Sequence, residues 1–347
     1  MFNRKSLLES LRFVSLACNE KSPMEVLRFA MLKADGESYT LKSTDNELFL
    51  SSAGMCETEI HCLIPVRNAI SLLESSSDED VEVSLVTGGI QIKDSSGKYK
   101  LLTPPIDEFP DRTFDYILSA KTDSMYIGRA MPLLSCLIEE REVNKFAIEG
   151  VRIDHEDGKM VAVGTDSKRL CRCSLGGGEI DPFTLPMKAV GAIRKLDGAI
   201  SVGFNGSVAA FVTDTSSVVT RVLDGKFPAW KDILLADNAE TWSVTAADLS
   251  AGLKKCSVYS QVDTRGVDFK ITQNGTSLSI KAADVGRCDT EIPGSCDSPK
   301  QIKVDGERLR QFVSRIPSIL PSKFSVGERI NIKVGDFCDF TIAGFEE

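Results

Sequence analysis

Three aspartates at nearly equal spacing are the first residues to test for chemistry. Thr44-Asp45 and Thr165-Asp166 each close a strand pattern, and Ala283-Asp284 follows as a weaker copy. A hydrolytic carboxylate pair must converge on one reacting group, which copies a whole domain apart would do only by a special arrangement. Repetition in three equivalent places favours a structural turn. The aspartates therefore predict architecture and not catalysis.

Other residues capable of catalysis or metal binding lack the necessary spacing. His61 and His155 lie near no nucleophile and no metal-ligand pattern. Gly176-Gly177-Gly178 is followed by Glu179-Ile180 and not by Gly-Lys-Ser/Thr, so it predicts a loop and not a phosphate cradle. The 10 cysteines match no disulfide or zinc framework and are interpreted as small buried apolar residues in a reducing compartment. We expect no enzymatic activity, no cofactor and no metal.

The repeat extends beyond the aspartates. Pro65-Val66-Arg67 recurs as Pro186-Met187-Lys188 and again as Val304-Asp305-Gly306. Asp107-Glu108-Phe109-Pro110 returns as Gly225-Lys226-Phe227-Pro228. The period of about 120 residues is that of a small domain, well beyond the 20–50 residues of solenoid repeats. The chain is therefore predicted to contain three copies of one domain.

Each third shows helix, strand, helix and strand patterns in that order. The sequence predicts an α+β fold of three repeated domains, each with two helices packed on antiparallel sheets. The predicted domains are residues 1–118, 119–238 and 239–347. The predicted helices are Arg4–Cys18, Val66–Ser75, Met131–Glu142, Met187–Leu196, Ala246–Tyr259 and Gly306–Ile316.

Acidic and basic residues are distributed unevenly along the chain. The chain has a formal net charge of −9, which by itself argues against nucleic-acid binding. The predicted helices nevertheless carry more basic than acidic residues, so the remainder must be strongly acidic. No apolar run approaches the ~18 residues of a membrane span, and no signal peptide is recognisable at the N-terminus. We expect a cytoplasmic protein with no membrane partner.

The segment from Val163 to Leu170, Val-Gly-Thr-Asp-Ser-Lys-Arg-Leu, resembles the middle-domain motif of the bacterial DNA sliding clamp, the β subunit of DNA polymerase III. The resemblance continues through Leu185-Pro186-Met187-Lys188 and through Arg221 to Trp230, with matching spacing. The most specific string is Val-Leu-Asp-Gly-Lys-Phe-Pro, ending at Pro228. The last third is matched mainly by pattern.

The resemblance implies a non-enzymatic processivity factor. Two chains of three domains would close head-to-tail into a ring around double-stranded DNA, with helices lining the hole and holding the backbone without reading sequence. The implied partners are the replicative polymerase and the clamp loader. The implied DNA contacts are Lys21, Arg67, Arg141, Lys145 and Lys188. The alternative is a scaffold that binds only proteins and does not encircle DNA.

A peptide-binding pocket is also implied by the resemblance. Its residues are Ile148, Thr165, Ser167, Lys168, Arg169, Leu170, Pro228, Ile233, Ile342, Ala343, Gly344 and Phe345. Arg169 would offer a guanidinium and Leu170 an aliphatic wall, although Leu170 and Ile148 could instead be core residues. The chain ends Ala-Gly-Phe-Glu-Glu where the family commonly ends Met-Pro-Met-Arg-Leu. Lys168 stands where histidine is common and Asp232 where arginine is common, so we expect partner peptides of a different type, with a basic flank.

The ring-closing interface is the last site implied. Tyr99 and Leu101, on an edge strand of the first domain, would face Val258 and Tyr259 near the end of a helix in the last domain. This is a contact between different surfaces of two chains.

Overall fold

The computed structural model describes residues 1–19, 21–138, 149–234, 239–261 and 265–345. The predictions for Arg141, Lys145 and Ile148, and for the acidic end Glu346-Glu347, fall outside these residues. Among the helices described, none is long and apolar enough to cross a membrane.

The three thirds share one order of elements: a strand, a helix, four strands, a helix and three strands. The first third contains β1 (Phe2–Asn3), α1 (Arg4–Val14), β2 (Phe29–Asp35), β3 (Ser38–Thr44), β4 (Leu48–Met55), β5 (Glu59–Pro65), α2 (Val66–Ser75), β6 (Asp80–Val86), β7 (Gly89–Lys93) and β8 (Lys98–Leu102). The second contains β9 (Leu118–Asp123), α3 (Ser124–Ser135), β10 (Gly150–Glu156), β11 (Lys159–Thr165), β12 (Arg169–Gly177), β13 (Phe183–Pro186), α4 (Met187–Ile193), β14 (Ala199–Phe204), β15 (Val208–Val212) and β16 (Ser216–Arg221).

The last third repeats the order after a short helix, α5. Its elements are α5 (Trp230–Ile233), β17 (Glu240–Trp242), α6 (Ala246–Ser257), β18 (Gly266–Thr272), β19 (Gly275–Ala282), β20 (Gly286–Ile292), β21 (Lys300–Asp305), α7 (Gly306–Val313), β22 (Ser322–Val326), β23 (Arg329–Val334) and β24 (Cys338–Ala343). The predicted α+β class with antiparallel sheets is confirmed.

The chain folds into two compact units. The first comprises Met1–Ser124 and Lys188–Val222, and holds a four-stranded sheet, β1-β6-β7-β8, and an eight-stranded sheet, β5-β2-β3-β4-β16-β15-β14-β9. The second comprises Met125–Met187 and Leu223–Glu347, and holds a four-stranded sheet, β20-β19-β18-β21, and an eight-stranded sheet, β13-β10-β11-β12-β24-β23-β22-β17. Each eight-stranded sheet thus joins four strands from one third to four from the next. The boundaries proposed for three domains stay a prediction.

Local sequence explains why the helices begin where they do. The Asn3 side chain accepts a hydrogen bond from the Ser6 N–H at the start of α1. Thr245 and Asp305 do the same for Asp248 in α6 and for Arg308 in α7. Such caps satisfy N–H groups that have no partner inside the helix, and each stabilises by about 0.5–2 kcal/mol.

The prediction for the first helix of the second third was wrong by about two turns. The helix spans Ser124–Ser135 and not Met131–Glu142. Pro132 favoured a late start, because proline is common in the first turn of a helix, but here it lies inside α3. Ile127, Ala130 and Leu134 form the buried stripe that positions the helix.

Candidate functional sites

The turn after Thr165 is shaped by its own side chains. Thr165 Oγ1 accepts the Ser167 N–H and donates to the Arg169 carbonyl at 2.8 Å. Asp166 Oδ1 accepts the N–H groups of Lys168 and Arg169 at 3.0 and 2.9 Å. Ser167 takes a left-handed conformation, with φ of 69°. Threonine and aspartate stabilise such turns by bonding the backbone two or three residues on.

Arg169 is fully buried, which corrects the expectation that its guanidinium faces a ligand. Its Nε bonds Asp166 Oδ2 at 2.9 Å, and its Nη2 donates to the Cys136 carbonyl at 2.6 Å. Its Nη1 donates to the Arg308 carbonyl at 2.6 Å and to Gln311 Oε1 at 3.1 Å. Arg169 therefore fixes the turn against α7 and against the chain that follows α3, instead of lining a pocket.

An apolar group of side chains lies beside this turn. We call it the Leu170 cluster; it consists of Val161, Val163, Leu170, Phe227 and Trp230, with Ile233 and Leu234 half-buried at its rim. Leu170 is only 1% exposed, which supports the alternative that it belongs to the core. The accessible apolar surface is the rim, next to the half-buried Pro228.

Two polar contacts hold the rim of the Leu170 cluster. Trp230 Nε1 donates to Asp154 Oδ2 at 3.0 Å, and Arg329 Nη1 donates to the Ile233 carbonyl at 2.7 Å. The sequence contained a signal for Trp230 in the Lys-Phe-Pro-Ala-Trp string, but the site assigned from the sequence omitted it. Leu234 and Arg329 carried no such signal.

The C-terminal residues assigned to the pocket divide between two places. Ile342 is buried opposite Arg169 in the sheet, and the Ala343 N–H donates to the Lys168 carbonyl at 2.9 Å. Phe345 leaves this edge, because its N–H donates to the Lys303 carbonyl at 2.7 Å and its ring lies beside Gly266. Its side chain is 47% exposed. The structure thus brings Ala343 to the turn and places Phe345 with β18 and β21; Gly344 connects the two.

The assigned basic residues that the structure describes lie at the expected places in the first unit. Lys21 is exposed in the loop after α1, and Arg67 is exposed in the first turn of α2. Lys188, in the first turn of α4, forms an ion pair with Asp45 and is 49% exposed. Partial burial lowers the pKa of Lys188 from its ordinary value. The Thr44-Asp45 turn therefore engages one of the assigned cations.

The assigned interface residues lie on one edge strand, β8, and at the end of helix α6. Tyr99 and Leu101 are half-buried on β8, an edge strand whose Leu102 is 72% exposed. Val258 follows α6 directly and is 71% exposed. The Tyr259 ring lies beside Gly286, the first residue of β20, which is the edge strand of its own sheet.

A cleft of about 1000 Å³ in the second unit was not predicted from the sequence. Trp242, Phe324 and Phe340 contribute its buried apolar floor, and Arg172, Lys333 and Asp339 are among its charged lining. These residues are far apart in sequence, so no local motif indicated the cleft.

Known proteins match this chain in sequence. Residues 1–113 match the family described as DNA polymerase III beta subunit, N-terminal domain. The beta sliding clamp of Chlamydia muridarum is 21% identical over 300 residues, covering 82% of this chain and 81% of that protein. The beta sliding clamp of Helicobacter pylori strain J99 is 21% identical over 338 residues, covering 93% and 89%.

Solved structures match over the whole chain. The DNA polymerase III subunit beta of Pseudomonas aeruginosa superimposes with a TM-score of 0.91 at 16% identity, covering 100% of this chain and 99% of that one. A sliding clamp from Bartonella birtlesii, solved bound to griselimycin, gives 0.89 at 18% identity, with the same coverage. The fold is that of the clamps. The chain is thus similar over most of its length to bacterial beta sliding clamps, and its first 113 residues match the family of their N-terminal domain.

Proposed function

We propose that this protein is a DNA sliding clamp: a non-catalytic processivity factor that encircles duplex DNA as a head-to-tail homodimer and tethers the replicative polymerase. One observation carries the proposal. Strands β4, β12 and β20 hold the same position in the three thirds, and so do β8, β16 and β24. Within the chain β4 pairs with β16 and β12 pairs with β24, whereas β20 and β8 are left as two open sheet edges.

Open sheet edges with exposed apolar residues favour pairing with another chain. If β20 of one chain pairs with β8 of a second, each contact joins different surfaces, and two such contacts close a ring of two chains. Leu102 and Val258, both more than two-thirds exposed, would be covered by this pairing. The assigned Tyr99 and Leu101 lie on β8 itself, and the Tyr259 ring lies beside the first residue of β20.

The pairing of β12 with β24 predicts the residue register in which β20 of one chain would pair with β8 of another. In the second unit Cys171 pairs with Phe340, and Arg172 pairs with Asp339. Matching the sheets strand by strand makes Cys288 and Asp289 the equivalents on β20, and Tyr99 and Lys98 the equivalents on β8. Tyr99 should therefore face Cys288, and Lys98 should face Asp289. The second pair has opposite charges, as Arg172 and Asp339 do.

Disulfide trapping tests this register. Lys98→Cys with Asp289→Cys should give a covalent dimer under mild oxidation, and a reducing agent should convert it back to uncrosslinked chains. Lys100→Cys with Asp289→Cys, two residues out of register on the same strand, should cross-link much more slowly, because such diagonal neighbours lie about 7–8 Å apart. Wild-type protein and each single variant serve as controls, because they show how much cross-linking occurs through the native cysteines. Equal cross-linking of both double variants would reject the register.

The ring itself is tested on DNA. The trapped dimer should stay on closed circular DNA in high salt and be lost when the circle is cut, because enclosure and not affinity retains it. Tyr99→Ala with Leu101→Ala should give a folded monomer that is not retained. A scaffold that binds only proteins would show no difference between circular and linear DNA, which would reject the proposal.

The finer assignments belong to the same proposal. Lys21, Arg67 and Lys188 would contact phosphates, as would Arg141 and Lys145. Flexible cations suit a sliding contact, because they follow the backbone without fixing a register. The rim formed by Pro228, Ile233 and Leu234 would receive apolar side chains of a partner peptide, from the polymerase or the clamp loader. The cytoplasm is the compartment that this function requires.

A further inference from the structure

We propose that Cys171, Cys173 and Cys338 form a three-sulfur binding site for a thiophilic metal ion, copper(I) in particular, inside the second unit. Their Sγ atoms all lie within 4.8 Å of one another, and no other group of three or more possible histidine, cysteine or carboxylate ligands is found among the described residues. We call these three residues the thiol cluster.

The sheet brings the thiol cluster together. Cys171 and Cys173 are two residues apart on β12, so their side chains point to the same face. Cys338, the first residue of β24, pairs directly with Cys173. The sequence could not reveal this, because Cys338 is far along the chain and the ligand spacing matches no known motif.

The sulfur separations suit coordination by one ion. A metal at the centre of three sulfurs, with metal–sulfur bonds of about 2.3 Å, requires sulfur atoms about 4.0 Å apart. The observed separations are 3.4 Å between Cys171 and Cys338 and 3.7 Å between Cys171 and Cys173. These are contacts between thiols and not disulfide bonds, whose S–S length is about 2.05 Å.

The ligand set indicates which metal would bind. Thiolates select copper(I), zinc and iron–sulfur clusters, and structural zinc takes four ligands. The thiol cluster supplies three ligands in a water-excluding core, since each cysteine is at most 1% exposed. Three sulfurs without a fourth ligand favour copper(I). Each sulfur that binds the ion must release its proton to solvent, and no electron is transferred.

Metal binding would act on the candidate docking region. Cys171 follows Leu170 directly, and Cys338 lies on the strand whose Ile342 pairs with Arg169. An ion held by both strands would cross-link β12 to β24 near the turn. Beside the thiol cluster the two strands are further joined by the Ser174 N–H, which donates to the Phe337 carbonyl at 2.8 Å.

The test uses fully reduced full-length protein without oxygen. Copper(I) is supplied from a chromophoric chelator whose colour reports the free ion, and X-ray absorption counts the sulfur ligands. We expect one tightly bound copper(I) per chain with three sulfurs at about 2.2–2.3 Å, and a melting temperature raised by several degrees. No uptake against the chelator, or a copper bound through nitrogen or oxygen, would overturn the proposal.

Variants locate the site. Cys173→Ala and Cys338→Ala should each weaken binding at least about 100-fold, because even outer-shell changes cost 10–100-fold. Cys62→Ala, at a buried thiol on β5, should have no effect. Cys288→Ala is the sharper control, because it removes the neighbour of the Cys256 thiol. Loss of binding in Cys288→Ala with retention in Cys173→Ala would overturn the assignment. The sulfur count on wild-type protein decides the matter even if a cluster variant does not fold.

Discussion

The two Thr-Asp turns have the same backbone and different uses. In the first, Asp45 Oδ1 accepts the N–H groups of Glu47 and Leu48, and Asn46 is left-handed with φ of 76°. The second repeats this pattern with Asp166 and Ser167. The difference lies at the last turn position, which is Leu48 in the first copy and Arg169 in the second.

The partner of the second carboxylate oxygen, Oδ2, also differs between the two turns. In the first turn Asp45 Oδ2 meets Lys188, whose side chain is half exposed. In the second, Asp166 Oδ2 meets the fully buried Arg169. The two copies of the turn thus share the same backbone hydrogen bonds. Their second carboxylate oxygen pairs with a half-exposed lysine in the first copy and with a buried arginine in the second.

The largest expected effect is a difference in the free energy of unfolding when the cation of each ion pair is removed. Arg169→Ala should lower the free energy of unfolding by about 3–5 kcal/mol, because it breaks a buried ion pair with Asp166, leaving only the longer contact from Arg308 at 3.3 Å, and removes the buried bonds to Cys136 and Gln311. Lys188→Ala should cost less, because the Lys188 side chain is 49% exposed and water can take its place beside Asp45, whose side chain is 11% exposed. Urea denaturation of both variants measures the difference. Equal losses would contradict the assignment of Arg169 as an internal anchor.

Of the two Thr-Asp turns, only the second lies beside the rim proposed for peptide docking. Ile233→Ala with Leu234→Ala should weaken binding of a labelled polymerase-tail peptide at least about 10-fold, as truncation of central apolar contacts does. Phe49→Ala, at the position of the first turn equivalent to Leu170, should leave binding unchanged. Fluorescence anisotropy at low and high salt measures both. Loss of binding in Phe49→Ala would move the docking site to the first turn.

Of the two Thr-Asp turns, only the first should influence DNA contact. Asp45→Asn removes the carboxylate that pairs with Lys188, so the lysine becomes available to a phosphate. The salt slope of DNA binding should steepen by up to about one unit, equally for unrelated sequences. Asp166→Asn should leave the slope unchanged, because its partners are buried. A flatter slope in Asp45→Asn would exclude Lys188 as a phosphate contact.

The smallest effect concerns another turn in which an aspartate side chain accepts backbone N–H groups. Asp94 Oδ1 accepts the N–H groups of Ser96 and Gly97. Hydrogen bonds, first from the Ser96 side chain and then from Ser76, lower the pKa of Asp94 from 3.8 to about 2. Its contribution is therefore complete above about pH 4 and is lost as the pH falls towards 2.

Amide exchange measures this contribution. Exchange at Gly97, corrected for its intrinsic pH dependence, should rise as the pH falls through that window. Asp94→Asn should remove the pH dependence at this turn. An unchanged exchange rate at Gly97 in wild-type protein would show that the carboxylate does not hold the turn.

The sequence predicted the repeat, the class and most elements, because periodicity and turn residues are local signals. Helix α2 was placed from Val66 to Ser75, as the structure has it. The failures are of two kinds. The leading strands β9 and β17 carry few buried residues, since β9 buries only Ala120 and Thr122 and β17 is three residues long, and they fall where domain boundaries were expected.

The second kind of failure is tertiary. The motif at Thr165 to Leu170 marked the right segment, but nothing local distinguishes an arginine that lines a pocket from one that bonds Cys136 and Gln311. The partners of Arg169 lie up to 142 residues away. Trp230 was visible in the sequence, yet its place beside Leu170 depends on packing.

The pairing of β4 with β16 has a consequence for the order of folding during synthesis. Leu48 pairs with Thr220, and Arg169 pairs with Ile342. About 170 residues separate the partners in each case, which a ribosome adding 5–20 residues per second needs roughly 10–30 s to make. β4 must wait that long with an open edge for β16, and β12 must wait equally long for β24.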